Sequence, residues 1–194
     1  MTVDELAELL RAAVVLPVLR APDCRAAVAA VERCVAAGMP VVELTATTEA
    51  WADALREARA AWPGLVVGVG TVLHPDQAEQ AAAAGAAFLV SPCPVPAVRG
   101  TSVPLVEGGF TPGELLDATS RGVGKLFPAH VGGPDLLRSV LALRPSARIV
   151  PTGGLTLDDV PAWLDAGALA VGVGAALLAE PDLPARLRVL RARL

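Results

Sequence analysis

Eight short apolar runs punctuate the chain, at residues 14–19, 40–45, 65–71, 87–91, 103–106, 123–127, 147–152 and 168–173. Each is followed by a turn and then by a more polar segment with helical spacing. The runs are continuously apolar rather than alternating, as parallel strands covered on both faces are. The segments between them predict helices over 24–37, 48–61, 74–84, 111–120, 133–143 and 156–166, with a short helix after Pro92-Cys93-Pro94. An amphipathic helix over 3–12 precedes the first strand, and another over 184–194 ends the chain. Local signals support these bounds. Asp23 is a candidate N-cap, Thr111-Pro112-Gly113-Glu114 has the spacing of a capping box, and Gly38, Gly85 and Gly167 stand where helices stop.

Successive runs are separated by the length of one strand-helix unit. Eight such units predict a compact (β/α)8 TIM barrel with short loops, formed as a single domain by residues 1–194. An open doubly wound sheet is the alternative. Against it, eight short strands of similar weight close more naturally than they stack, and no GxGxxG opens the first helix.

Composition narrows the class. Of 194 residues, 54% are hydrophobic and 19% charged, and mean hydropathy is +0.54. Yet Gly, Pro or charge breaks every apolar run well short of the 18 or so residues a spanning helix needs, and no signal-peptide pattern opens the chain. A soluble, cytoplasmic protein is expected. The net charge of −4, the 3% aromatic content and the lack of tyrosine argue against nucleic-acid binding. Three scattered cysteines (Cys24, Cys34 and Cys93) and two histidines (His74 and His130) form no ligand cluster, so no metal is expected.

Candidate chemistry begins with Lys125, the only lysine; the other fifteen cations of the Lys+Arg total of 16 are arginines. Arginine keeps its proton near neutrality, whereas lysine can lose it in dry surroundings. A chain that uses Arg for charge has kept one amine, at the end of an apolar run. Barrel chemistry gathers at the C-terminal strand ends, which here carry Arg20, Glu43, Thr71, Ser91, Lys125, Thr152 and the Gly172-Val173-Gly174 turn. Glu43 is a carboxylate inside an apolar run, and needs a partner or a task; an ion pair with Arg20 is the structural alternative. Beside Lys125 it would give an amine and a proton shuttle, the two groups that imine chemistry on a ketone requires. The glycine turns after strands seven and eight are candidate phosphate cradles.

In order along the chain, Pro17-Val18-Leu19-Arg20, Val42-Glu43-Leu44-Thr45, Gly68-Val69-Gly70-Thr71-Val72-Leu73, Val90-Ser91-Pro92, Lys125-Leu126-Phe127-Pro128-Ala129 and Pro151-Thr152-Gly153-Gly154 resemble the 2-keto-3-deoxy-6-phosphogluconate (KDPG) and 4-hydroxy-2-oxoglutarate aldolase family of class I, Schiff-base lyases. The resemblance implies a metal-free, cofactor-free homotrimer whose covalent imine forms on Lys125, with Glu43 as acid/base. It implies that Thr71 holds the pyruvyl carboxylate, that Pro92 and Phe127 wall the pyruvyl pocket, and that Thr152, Gly153, Gly154 and Gly174 receive a distal phosphate.

Three departures stand out. Thr47 replaces an arginine that assists the substrate carboxylate, which roughly halves the contact's strength; Arg20 is the candidate substitute. Ala175 stands where a serine hydroxyl is usual. His130 follows Phe-Pro-Ala, where it is a candidate acid/base or phosphate contact or simply an exposed loop residue. The Schiff-base groups are thus kept while the substrate-holding groups change, so a non-phosphorylated or atypical acceptor is in view. Rival readings are an imine-dependent dehydratase or decarboxylase, a non-catalytic oligomeric barrel, and a phosphate-binding isomerase or synthase.

Overall fold

The eight apolar runs form eight parallel strands: β1 (Val15–Leu19), β2 (Val41–Thr45), β3 (Val66–Gly70), β4 (Leu89–Val90), β5 (Leu105–Gly109), β6 (Val123–Leu126), β7 (Arg148–Pro151) and β8 (Val171–Val173). This computed structural model of the chain describes residues 1–192. Each strand from β1 to β6 pairs with the next, and β1 also pairs with β8. The remaining seam is drawn together by the Leu169 amide donating to the Ile149 carbonyl at 2.9 Å and by a parallel bridge between Thr152 and Gly172. The sheet therefore closes into a barrel, and the open doubly wound alternative fails.

Nine helices among the described residues surround or plug it: α1 (Val3–Ala13), α2 (Cys24–Ala36), α3 (Trp51–Ala61), α4 (Pro75–Ala84), α5 (Pro112–Ser120), α6 (Ala129–Leu143), α7 (Val160–Asp165), α8 (Ala175–Ala179) and α9 (Leu183–Arg191). A 3-10 turn, Pro96–Val98, replaces a helix between β4 and β5. The expected terminal helix over 184–194 is α9, and its last two expected positions lie outside the described residues.

Differences from the sequence expectations cluster at element ends. Strand five was expected over 103–106 but runs to Gly109, because the charge of Glu107 is met by arginines and both following glycines are packing positions. A Cβ on Gly108 would strike the Pro92 backbone, and one on Gly109 would strike Glu114. Helix α3 starts at Trp51, three residues later than expected, because the Thr48 hydroxyl is engaged outside the helix, accepting from the Ala21 amide at 3.2 Å. Helix α7 starts at Val160 rather than residue 156, since Asp159 folds Thr156 into a turn through its amide and hydroxyl at 2.7 and 2.8 Å. Helix α6 starts before Gly133, which breaks it at φ 66°, ψ 176°.

Two apolar layers hold the barrel. The outer layer lies between strands and helices. The inner one is made by alternate strand residues, including Leu16, Val41, Phe88, Val106, Val123 and Val150, and is joined by Leu6, Ala7, Leu10 and Ala13 of α1. Helix α1 therefore plugs the N-terminal mouth. Its start is fixed by a capping box: the Glu5 amide donates to Thr2 and the Thr2 amide to Glu5. An ion pair from Arg148 at the start of β7 to Asp4, 2.6 Å, ties it down. With that end filled, only the C-terminal mouth is left open.

Glu107, only 2% exposed, faces away from the barrel axis. Its carboxylate accepts from the Val95 amide at 2.7 Å, from Arg99 Nε at 3.0 Å, and from Arg121. Both arginines also pair with Asp117. Burial alone would raise the Glu107 pKa, but these donors hold it below the ordinary 4.5. A depressed carboxyl stabilises the fold above its unfolded pKa and loses that contribution as pH falls through the folded value. Glu107→Gln is therefore expected to cost about 1–3 kcal/mol at pH 7. Urea denaturation should show the deficit steady down to about pH 5 and narrowing below it.

Candidate active site

Strands β2 and β6 lie four places apart in an eight-stranded ring, so their inward side chains face each other across the axis. Glu43 comes from β2 and Lys125 from β6. Glu43 Oε1 lies 3.5 Å from Lys125 Nζ, and the two side chains are 1% and 6% exposed. That is an ion-pair distance without a formed hydrogen bond, and neither Glu43 oxygen has a hydrogen-bond partner. Burial raises the Glu43 pKa; the charges of Lys125 and Arg20 oppose the rise without cancelling it. The Lys125 ammonium also stands 5.6 Å from the Phe127 ring centroid, within cation–π range.

The pair forms the floor of a cavity of about 660 Å3 at the open mouth. Thr71, Pro92 and Phe127 are on its wall. Thr152, Gly153, Gly154, Gly174 and Ala175 line it too, and the exposed Arg20 completes that lining. These nine side chains or turns come from β1, β3, β4, β6, β7 and β8, or from the loops that follow them. Sequence reasoning missed Val18, Leu155, Thr156 and Ala176 on the same wall. Reading on past Thr152-Gly153-Gly154 and Gly174-Ala175 would have found the last three.

Two expected residues are not on this wall. Thr47 is exposed, and its hydroxyl lies 3.0 Å from that of Thr45; the chain turns outward after β2 and the threonines there bind one another. His130 is also exposed, with Nδ1 3.2 Å from the Gly153 carbonyl. It packs on the back of the glycine turn, where a Cβ on Gly154 would strike its ring. Arg20 is exposed and forms no ion pair with Glu43; Lys125 takes that place.

Backbone conformation at the mouth is unusual. Thr71 has φ 60°, a left-handed value that is a strong outlier for a β-branched residue and costs of order 1–3 kcal/mol. The strain turns the chain at the end of β3 and leaves Thr71 on the cavity wall. Gly153 and Gly154 have φ 99° and 73°, conformations open to glycine at little cost. A second hollow, about 310 Å3, lies by the N-terminal end around Arg99 and Arg121, whose charges are already paired. Among the described residues no three His, Cys, Asp or Glu side chains gather into a metal site, and no helix is long and apolar enough to cross a membrane.

Glycines carve the space that the polar pair needs. A Cβ on Gly70 would overlap the Glu43 carboxylate, and one on Gly172 would overlap Thr152. Gly70→Ala is expected to displace Glu43 from Lys125 and to cost about 1–3 kcal/mol by overpacking. In a Glu43→Ala background the same change should cost markedly less, a coupling that a double-mutant cycle in urea would measure.

The geometry has close counterparts. Residues 6–185 match the family model described as KDPG and KHG aldolase. The 2-dehydro-3-deoxy-phosphogluconate aldolase of Dickeya dadantii (strain 3937) is 34% identical over 165 residues, covering 81% of this chain and 77% of that protein. The structure of the Zymomonas mobilis ZM4 2-keto-3-deoxy-6-phosphogluconate aldolase with 3-phosphoglycerate has a TM-score of 0.83 at 29% identity, covering 98% of this chain and 95% of that one. That of the Legionella pneumophila KDPG aldolase, with pyruvate captured as a covalent carbinolamine intermediate, has a TM-score of 0.81 at 25% identity and covers 96% of both chains. A match that begins inside the helix plugging the barrel and ends in the last helix leaves one assignment: this chain belongs to the KDPG and KHG aldolase family.

Proposed function

We propose that the chain is a class I aldolase that cleaves a 2-keto-3-deoxy acid to pyruvate and an aldehyde, and forms it in reverse. The observation that carries this reading is the buried Lys125–Glu43 pair at the floor of the open cavity. Lys125 attacks the 2-keto carbon, giving a carbinolamine that loses water to an imine. Glu43, directly or through water, takes the proton of the C4 hydroxyl. The C3–C4 bond breaks, its electron pair passes into the protonated imine, and the aldehyde leaves. The resulting enamine is protonated at C3 and hydrolysed to pyruvate. The imine is itself the electron sink, so this route calls on no metal or organic cofactor. The relative from Legionella pneumophila, with pyruvate held as a carbinolamine, supports the first step.

In this reading Thr71 and Arg20 hold the substrate carboxylate, and Pro92 and Phe127 bound the pyruvyl end. Thr47 is too far around the turn to serve, so Arg20 takes the role of the missing arginine. Thr152, Gly153, Gly154 and Gly174 receive the distal end of the substrate. The Zymomonas mobilis relative, solved with 3-phosphoglycerate, supports a phosphorylated ligand for this family. In this chain Leu155, Ala175 and Ala176 line the cavity beside Thr152 and Thr156, whose hydroxyls already donate to Val150 and Asp159, which favours acceptors that do not depend on a phosphate. His130 acts only by supporting the glycine turn. We place the protein in the cytoplasm as a homotrimer. The retained pair gives the non-catalytic barrel no support.

Borohydride reduction in the presence of pyruvate tests the reading directly. Intact mass and peptide mapping should find one reduced pyruvyl adduct, on Lys125, absent without pyruvate. No adduct with pyruvate or several longer 2-keto acids would sink it. The pH profile offers a second test. Glu43 must be ionised to take the hydroxyl proton, and its pKa is raised, so cleavage should fall as pH drops through a value above 4.5. Glu43→Gln should abolish that acid limb and lower kcat by about 10²–10⁴-fold.

A further inference from the structure

Ser91 is completely buried and does not line the cavity, yet it stands directly before Pro92, which does. It ends the β4–β5 ladder: its amide donates to the Val106 carbonyl at 3.0 Å. The Gly108 amide of β5 donates to Ser91 Oγ at 3.2 Å. The same hydroxyl donates to the Cys93 carbonyl at 2.8 Å. One hydroxyl thus clamps the turn on both sides of Pro92. The far end of the turn is held by the Val95 amide donating to Glu107 at 2.7 Å. Pro92 and Pro94 bring no donors of their own, so few polar contacts fix this wall.

The clamp sits next to the amine. Gly108 is in register with Lys125 across the β5–β6 pair, and the Pro92 backbone lies where a Cβ on Gly108 would be. Pro92 is therefore seated against the strand that adjoins the reactive lysine's strand. A small movement of the turn changes the space beside Lys125 without touching Lys125 or Glu43.

We propose that Ser91 is a positioning residue that sets the width of the donor pocket by holding Pro92 against β5. The consequence is selectivity for the smallest donor, since room for one more methylene beside the imine depends on how firmly Pro92 is held. This rests on the aldolase reading above.

The test compares pyruvate with 2-oxobutanoate as donor, with one acceptor aldehyde, in the native protein, Ser91→Ala and Ser91→Cys. Both variants weaken the clamp, and the second keeps nearly the native volume. The ratio of kcat/KM for 2-oxobutanoate to that for pyruvate is expected to rise about tenfold, within the range one methylene commands in an apolar pocket. KM for pyruvate should rise more than kcat falls. An unchanged ratio in the folded variants, with both donors losing equally, would show only structural support and overturn the proposal. A crystal structure of Ser91→Cys supplies a readout independent of activity: Pro92 at its native position would overturn the proposal even if the native protein forms no imine, whereas failure of imine formation in the native protein overturns the aldolase reading alone.

Discussion

A carboxylate and an ammonium placed at the centre of an apolar barrel are costly. Desolvation of a buried pair can exceed its mutual attraction unless further hydrogen bonds complete it, and both oxygens of Glu43 lack a hydrogen-bond partner. The rest of the fold is arranged so that this arrangement survives. The pair sits at the boundary between the filled half of the barrel and its open half, close enough to solvent for a substrate to reach it. The raised pKa of Glu43 is the same desolvation seen from the proton's side.

The two ends of the barrel have opposite solutions to the same packing problem. At the N-terminal end, large side chains such as Phe88 and Leu16 meet the apolar face of α1 and leave no room. Toward the C-terminal end, inward positions are taken by Gly70, Gly108 and Gly172, and neighbouring polar side chains or turns fill the space they vacate. Removing Cβ atoms on three strands makes space for a glutamate, a threonine and a proline turn. The stability that this half gives up, including the strain at Thr71, is supported by the close-packed end and by the outer apolar layer.

Outside the barrel, the cluster of Glu107, Asp117, Arg99 and Arg121 bears on the site at one remove. The Glu107 carboxylate holds the end of the turn whose beginning is held by Ser91. The wall beside Lys125 thus depends on a hydroxyl and an ion-pair network that never touch the cavity. Charges buried behind the strands and charges buried inside them answer to different demands: the first are fully paired, and the second are left short of partners and so available to a substrate.

The sequence by itself determined the number and direction of the strands, because continuous apolar runs separated by helical spacing admit few arrangements. It also marked Lys125 and Glu43, since an only lysine and a carboxylate in an apolar run are visible without coordinates. It did not determine where strand five ended, because whether Glu107 can be buried depends on arginines 8 residues before and 14 residues after it. Nor could it separate Thr47 and His130, which follow strand ends but turn away, from Leu155 and Ala176, which turn inward. Ser91 looked like one more strand-end candidate, and only the tertiary structure shows its hydroxyl joining the Gly108 amide to the Cys93 carbonyl. Chain order records which residues leave a strand together; direction and partnership at the mouth are set by backbone angles and by neighbours distant in sequence, and those exist only once the barrel has closed.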